Sequence, residues 1–153
     1  MSDIILNQVS DKEIAKEYKK RFFLKSGDKL SSSNDAADHF TVLLSNKPNI
    51  EQFAVIFLNA ANCIIASKIM FKGSLTSSAV YPREIIKKSL ELDAAAIIVG
   101  HNHPSGQTKP SRDDSQITNK INSACKTVDI ILHDHIIIAG KNGFYSFSDE
   151  GVL

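Results

Sequence analysis

Residues 94–114 have the sequence AAAIIVGHNHPSGQTKPSRDD, which predicts a strand, a turn and the start of a helix. Residues 94–99 form an unbroken apolar run, which is typical of a strand buried on both faces. If the extended conformation continues to residue 103, His101 and His103 point the same way, because strand side chains alternate. Residues 104–106 then turn the chain, and Ser111 is a good N-cap for a helix that follows. Asp114 would lie in its first turn, where the helix dipole favours the ionised carboxylate.

Two imidazoles and one carboxylate, from His101, His103 and Asp114, can supply three ligands to one divalent metal. A structural zinc is closed by four protein ligands, whereas a catalytic zinc has three and keeps a position for water. Taken alone, Ser111 and Asp114 are more often a simple helix cap, and a lone His-x-His is more often a surface feature. Their combination within a dozen residues favours a metal site, and the ligand count suggests a hydrolase.

These residues resemble the JAMM (MPN+) metallopeptidase motif, His-x-His-Pro followed by Ser-x-x-Asp at the expected spacing. The fuller string is similar to the RadC-like branch of that family, and the similarity runs from about residue 50 to the C-terminus. Further strings that carry it are Pro82-Arg83-Glu84-Ile85, Asp134-His135-Ile136-Ile137-Ile138 and Tyr145-Ser146-Phe147.

The resemblance implies an α/β fold, with a mixed sheet flanked by helices in the JAMM/MPN (cytidine-deaminase-like) architecture. It implies that His101, His103 and Asp114 bind zinc (Zn2+) and that Ser111 helps to stabilise the oxyanion of the reaction. It also implies hydrolysis of a peptide or isopeptide bond in a protein or peptide substrate. An upstream glutamate, near the start of a central strand, would act as the general base that accepts a proton from the attacking water.

Two glutamates compete for that role. Glu51 opens a strong strand candidate, residues 51–58, and the RadC-like pattern carries a glutamate at this place. Glu84 belongs to the family-like Pro-Arg-Glu string, but Pro82 suits the first position of a helix, where Glu84 would complement the helix dipole. We therefore favour Glu51 as the general base, although most glutamates at a strand start are simply exposed.

The other histidines are less informative. His133 and His135 alternate before an apolar run, but no further carboxylate or thiolate lies at ligand spacing. We expect them to make supporting hydrogen bonds rather than to bind metal directly. His39 lies on a helical pattern whose apolar face is formed by other residues, and we expect it to be solvated.

The chain of 153 residues suits one domain with a full core, and its composition is ordinary, at 42% hydrophobic and 23% charged. A net charge of +1 does not indicate the excess of basic residues that is typical of a nucleic-acid-binding protein. Cys63 and Cys125 form no Cys-x-x-Cys motif and suggest reduced thiols in a cytoplasmic protein. Residues 1–6 are too short and acidic for a signal peptide, and no apolar run reaches membrane-spanning length.

The predicted order is two helices, a hairpin of strands, and then helices alternating with strands. We assign residues 1–30 to an N-terminal helical extension and residues 31–153 to the RadC-like JAMM/MPN domain. The first helix carries a stripe of Ile14, Tyr18 and Phe22, which must pack on the domain or on another chain. A homodimer through this helix is one possibility, and intramolecular packing is the other.

Two other functions stay open at this stage. One is a DNA-repair-associated binding protein with a structural zinc, which the RadC name suggests only by analogy. The other is a metal-dependent nuclease, which usually needs several carboxylates, whereas only Asp113 and Asp114 lie near this motif.

Overall fold

The computed structural model describes residues 8–153. Residues 1–7 lie outside the described part. The expectation that residues 1–6 do not form a signal peptide concerns these residues. The helices are α1 (Asp11–Phe22), α2 (Ser33–Leu43), α3 (Pro82–Glu91) and α4 (Arg112–Thr127). The strands are β1 (Gln52–Leu58), β2 (Ile64–Lys72), β3 (Ala96–Asn102), β4 (Ile131–Ile138) and β5 (Phe144–Ser146). This order matches the predicted order, with boundaries that differ by a few residues.

The five strands form one mixed sheet in the order β2-β1-β3-β4-β5. The pairs β1–β2, β1–β3 and β4–β5 are antiparallel, and only β3 and β4 run parallel. The predicted hairpin of β1 and β2 is therefore confirmed. The sheet ends with another antiparallel pair, β4 and β5, whose connection contains one turn of 3-10 helix, Gly140–Asn142. The α/β fold with a mixed sheet flanked by helices is the predicted one.

Alternation along the two central strands divides the core into two layers. Every residue of β1 and β3 is buried, because helices cover both faces of the sheet. Phe53, Val55 and Phe57 pack with α3 and α4 on one face, whereas Ala54 and Ile56 pack with α2 on the other. This burial explains why the central strands are continuously apolar instead of alternating with polar residues.

Gly100 shows how closely α2 approaches the sheet. A Cβ atom built on Gly100 would lie 2.7 Å from the ring of Phe40, which is itself fully buried. A side chain at this position would therefore push α2 away from β3, just before the strand reaches His101.

The expectation for His39 was wrong. This histidine lies in α2 and is fully buried. Its Nδ1 accepts a hydrogen bond from the backbone N–H of Leu24 at 2.9 Å, and its Nε2 lies 2.7 Å from the hydroxyl of Ser67 in β2. The ring also stacks on Phe23, with ring centroids 4.4 Å apart. A sequence pattern of one helix cannot reveal such burial, because the cover comes from the segment that follows α1.

Helix α1 lies on α2 but contributes no fully buried residue. The hydroxyl of Tyr18 is 3.5 Å from Asp38, whereas Ile14 and Phe22 remain 44% and 39% exposed. The division of the chain at residue 30 and the association of two copies through α1 stay predictions. Within residues 8–153, no helix combines the length and the apolar character needed to cross a membrane.

Candidate metal centre

The two histidines of the motif stand at the C-terminal end of β3. His101 pairs with Phe53 of β1 and with Ile137 of β4. Beyond the end of β3, the N–H of His103 still donates to the carbonyl of Ile138 at 2.8 Å, so the extended conformation continues for one more residue. Both imidazoles therefore point to the same face of the sheet, as predicted from their spacing.

The carboxylate comes from the first turn of α4. Ser111 is the N-cap, and its hydroxyl oxygen accepts a hydrogen bond from the N–H of Asp114 at 3.0 Å. In return, an oxygen of Asp114 accepts the N–H of Ser111 at 2.8 Å, which completes a capping box. The bond from the Ser111 backbone N–H fixes the direction of the Asp114 side chain, which is buried beside the histidines.

The three predicted ligand residues converge. Nε2 of His101 lies 3.1 Å from one oxygen of Asp114, and Nε2 of His103 lies 3.1 Å from the other. The two Nε2 atoms are 3.0 Å apart, and one ligand atom from each residue falls within 4.8 Å of the others. Among residues 8–153, this is the group of His, Cys, Asp and Glu side chains that could hold a metal ion.

Hydrogen bonds behind the cluster decide which imidazole nitrogen is free. The Thr118 hydroxyl is 2.7 Å from the carbonyl of Asp114, which can only accept, so its single proton is used there. Thr118 must then accept from Nδ1 of His135, 2.6 Å away, and Nε2 of His135 must accept from Nδ1 of His101, 2.8 Å away. The lone pair of His101 Nε2 is left pointing into the cluster.

His103 is oriented in the same way by a shorter route. Its Nδ1 lies 2.7 Å from the backbone carbonyl of Gln107, so Nδ1 carries the proton and donates. Nε2 of His103 is therefore also available to a metal ion. Both histidines are thus held in the tautomer that presents Nε2 to the cluster.

The local electrostatics fit a cation. Burial opposes ionisation of Asp114, but the close contacts of its oxygens with the imidazoles of His101 and His103 outweigh it and hold the pKa of this carboxyl well below its usual range. When His103 takes up a second proton, its Nε2 donates to Asp114, and this stabilisation of the protonated ring raises the pKa of His103. Complete burial lowers the pKa of His135 well below its usual value, so that ring is neutral as the hydrogen-bond chain requires.

Glu51 and Ser111 line one cleft with the metal cluster. The cleft has a volume of about 750 Å³ and is bounded by the residues just before β1, the loop after β2, and parts of the segment from His103 to Asp114. A carboxylate oxygen of Glu51 accepts the N–H of Leu75 at 2.8 Å. In the described part of the chain, the Ser111 oxygen accepts only from Asp114, which leaves its hydroxyl proton free for a ligand.

Glu84 lies elsewhere. It is in the first turn of α3, where its carboxylate is 3.6 Å from the guanidinium of Arg83, and its side chain is 42% exposed. It lines a shallow surface hollow with residues of α3 and β2, and it is absent from the lining of the cleft that holds Glu51. The geometry therefore favours Glu51 of the two glutamates considered from the sequence.

The expected hydrogen bonding of His133 and His135 is confirmed, although the two rings do different things. His135 supports His101 within the cluster, whereas Nε2 of His133 lies 3.0 Å from Asn62, in the turn between β1 and β2. Sequence analysis missed Thr118 and Gln107. The one signal for Thr118 was its position four residues after Asp114 in a helix, which places both on one face.

A helix-flanked mixed sheet, with such a cluster between the end of β3 and the start of α4, is the arrangement of a JAB/MPN domain. Comparison with protein families makes this assignment specific. Residues 30–152 match the RadC-like JAB domain, and the chain belongs to this family.

Several bacterial relatives support this membership. A UPF0758 protein of Thiobacillus denitrificans and one of Photobacterium profundum are each 44% identical over 130 residues, which cover 85% of this chain and 57% of the relative. The UPF0758 protein YfjY of Escherichia coli is 38% identical over 133 residues, which cover 87% of this chain and 82% of that protein. The chain thus matches little more than half the length of the first two relatives.

Proposed function

We propose that this chain is a zinc-dependent hydrolase of the JAMM type, acting on a peptide or isopeptide bond. The observation that carries the proposal is the sharing of one cleft by three kinds of group. His103 and Asp114 of the metal cluster, the Glu51 carboxylate and the Ser111 hydroxyl all face it. A metal site with three protein ligands, a base and a hydroxyl donor has the parts that hydrolysis of an amide requires.

Zinc fits the residues that are present. Two imidazoles with oriented Nε2 atoms and one carboxylate are a frequent ligand set for this ion. His101, His103 and Asp114 would hold it. When bound, zinc supplies a Lewis acid that polarises a carbonyl group and makes water more acidic.

The Glu51 carboxylate is the group that moves the proton. Its side chain reaches the cleft, and one of its oxygens is fixed by the N–H of Leu75. During attack, Glu51 takes a proton from water while the new carbon–oxygen bond forms. It then delivers that proton to the leaving amine as the carbon–nitrogen bond breaks, which restores the carboxylate.

Ser111 stabilises the negative charge that develops on the substrate oxygen. Its oxygen is occupied by the N–H of Asp114, so its hydrogen can point to substrate while the helix cap stays intact. In other hydrolases, the loss of one such donor costs about 10²- to 10³-fold in kcat. We expect Ser111→Ala to lose activity of that order and to keep the metal.

The test is a hydrolysis assay of the zinc-loaded chain against ubiquitin-like conjugates and unstructured peptides, beside a DNA cleavage assay. We expect amide hydrolysis that Glu51→Gln reduces to a small but measurable residual rate while its zinc content stays unchanged, because the nearly isosteric amide cannot take a proton. Glu84→Gln is the matched control and should stay active. DNA cleavage without amide hydrolysis would favour a nuclease, and salt-sensitive DNA binding without either activity would favour a binding protein.

A further inference from the structure

Asn102 lies between the two motif histidines but faces the other way. Its side chain is buried at the end of β3 and makes two hydrogen bonds to the backbone of the segment that leads into β1. The amide oxygen accepts the N–H of Gln52 at 2.7 Å, and the amide nitrogen donates to the carbonyl of Ile50 at 3.0 Å. These two backbone groups are immediate neighbours of Glu51 on either side.

This double contact occurs where the backbone ladder between β1 and β3 has ended. The last paired residues of these strands are Phe53 and His101, so Glu51 lies beyond the regular pairing. The carboxamide of Asn102 offers one donor and one acceptor, as a peptide group does. It therefore continues the attachment of β1 to β3 past the end of the ladder.

We propose that Asn102 is a positioning residue that holds Glu51 at a fixed place relative to the two metal-binding histidines. The proposal rests on the proposed function of Glu51 as the base. Because Asn102 fixes the peptide groups on both sides of Glu51, it fixes the position and direction of the Glu51 side chain. We call the two hydrogen bonds of Asn102, to Gln52 and Ile50, the clasp. The histidines and the clasp belong to one short strand segment, so their spacing does not depend on a flexible connection.

The loop after β2 completes the attachment from the opposite side. The N–H of Gly73 donates to the carbonyl of Glu51 at 2.9 Å, and the N–H of Leu75 donates to its carboxylate at 2.8 Å. These two amides report the position of Glu51 without any need for substrate. If the clasp is removed, Glu51 shifts and both amides lose their acceptors for part of the time.

The first arm of the test is amide hydrogen exchange on the full chain, comparing Asn102→Ala with wild type. We expect exchange of the Gly73 and Leu75 amides to accelerate about ten-fold or more, as local opening becomes more frequent. Ile98→Ala is the matched control, because Ile98 is buried on the same face of β3 but pairs with Ile56, four residues beyond Gln52 along β1. That control should leave the two amides unchanged relative to the rest of the chain.

The second arm is kinetic. Asn102→Ala should reduce kcat about ten- to hundred-fold, the usual scale for a misplaced catalytic group, with KM and zinc content unchanged. In a Glu51→Gln background, the same substitution should cause no further loss, because the group it positions is already inactive. If Asn102→Ala does not fold, Asn102→Asp takes its place, since it keeps the acceptor and loses the donor.

The two arms separate the two proposals. Faster exchange of Leu75 supports the clasp even if the chain hydrolyses no amide bond, in which case only the proposed function fails. Unchanged exchange of Gly73 and Leu75 overturns the clasp. An equal loss of kcat in the wild-type and Glu51→Gln backgrounds also overturns it, since Asn102 would then act independently of Glu51.

Discussion

The hydroxyl of Thr118 lies 2.6 Å from Nδ1 of His135, and this contact helps to decide which nitrogen of His101 carries the proton in the candidate metal cluster. Thr118 gives its only proton to the carbonyl of Asp114, so His135 must donate through Nδ1 and accept through Nε2. His101 consequently presents a bare Nε2 to the metal position. A buried threonine in α4 thus selects the tautomer of a histidine in β3 through a third side chain.

The first prediction concerns the relay, the chain of hydrogen bonds that leads from Thr118 through His135 to His101. Thr118→Val keeps the shape of the side chain but removes the hydroxyl, so the tautomer of His135 is no longer fixed. We expect zinc affinity to fall about 10- to 100-fold, as is usual when an outer hydrogen bond to a metal ligand is lost. A competition titration with a chelator measures the change.

Thr127→Val is the matched control for Thr118→Val. Thr127 makes the same kind of hydrogen bond to the carbonyl four residues earlier in α4, but at the exposed far end of the helix. Its substitution should leave zinc affinity unchanged. Equal affinities for wild type and Thr118→Val would contradict the relay.

The second prediction concerns the pH dependence of stability. Burial lowers the pKa of His39 from 6.5 to about 4. The unfolded chain therefore binds a proton at this residue before the folded chain does, so stabilisation is complete above pH 6.5 and is lost as pH falls towards 4. The loss should approach about 3 kcal/mol in the free energy of unfolding.

Urea unfolding of wild type and His39→Gln at several pH values between 7 and 4.5 measures the contribution of His39 to the free energy of unfolding. Glutamine can still accept the N–H of Leu24 but does not titrate, so the stability of the variant should fall less steeply with acid. Parallel curves for the two proteins would show that His39 is not the group responsible.

The third prediction concerns association through α1. The apolar side chains of Ile14 and Phe22 remain substantially exposed on this helix. If two copies pair there, light scattering of the full chain gives twice the mass of one chain, and Ile14→Ser gives the mass of one. Leu90→Ser, at an exposed position of α3, is the control and should leave the dimer intact. A single-chain mass for all three proteins would reject the homodimer.

The sequence predicted the parts of the site that depend on local periodicity. The spacing of His101 and His103 determines their common direction on a strand, and Ser111 with Asp114 forms a cap that local rules describe. It could not predict contacts between distant segments. The link from Thr118 to His135 and the clasp of Asn102 on the neighbours of Glu51 depend on how elements pack.

The same limit explains the error at His39. Its helix pattern was identified correctly, but the cover over this residue comes from Phe23 and Leu24, which lie outside the helix. The choice between Glu51 and Glu84 likewise rested on resemblance more than on physics. Only the tertiary structure places Glu51 in the cleft and Glu84 on an exposed helix start.

The central claim is that His101, His103 and Asp114 hold one zinc ion, and elemental analysis of the full chain purified without added metal tests it most directly. We predict close to one zinc per chain in wild type and almost none in His103→Ala, because two ligands bind zinc far more weakly than three. Zinc that persists at full occupancy in His103→Ala would contradict the account. It would move the site elsewhere, with His133 and His135 as the first residues to test.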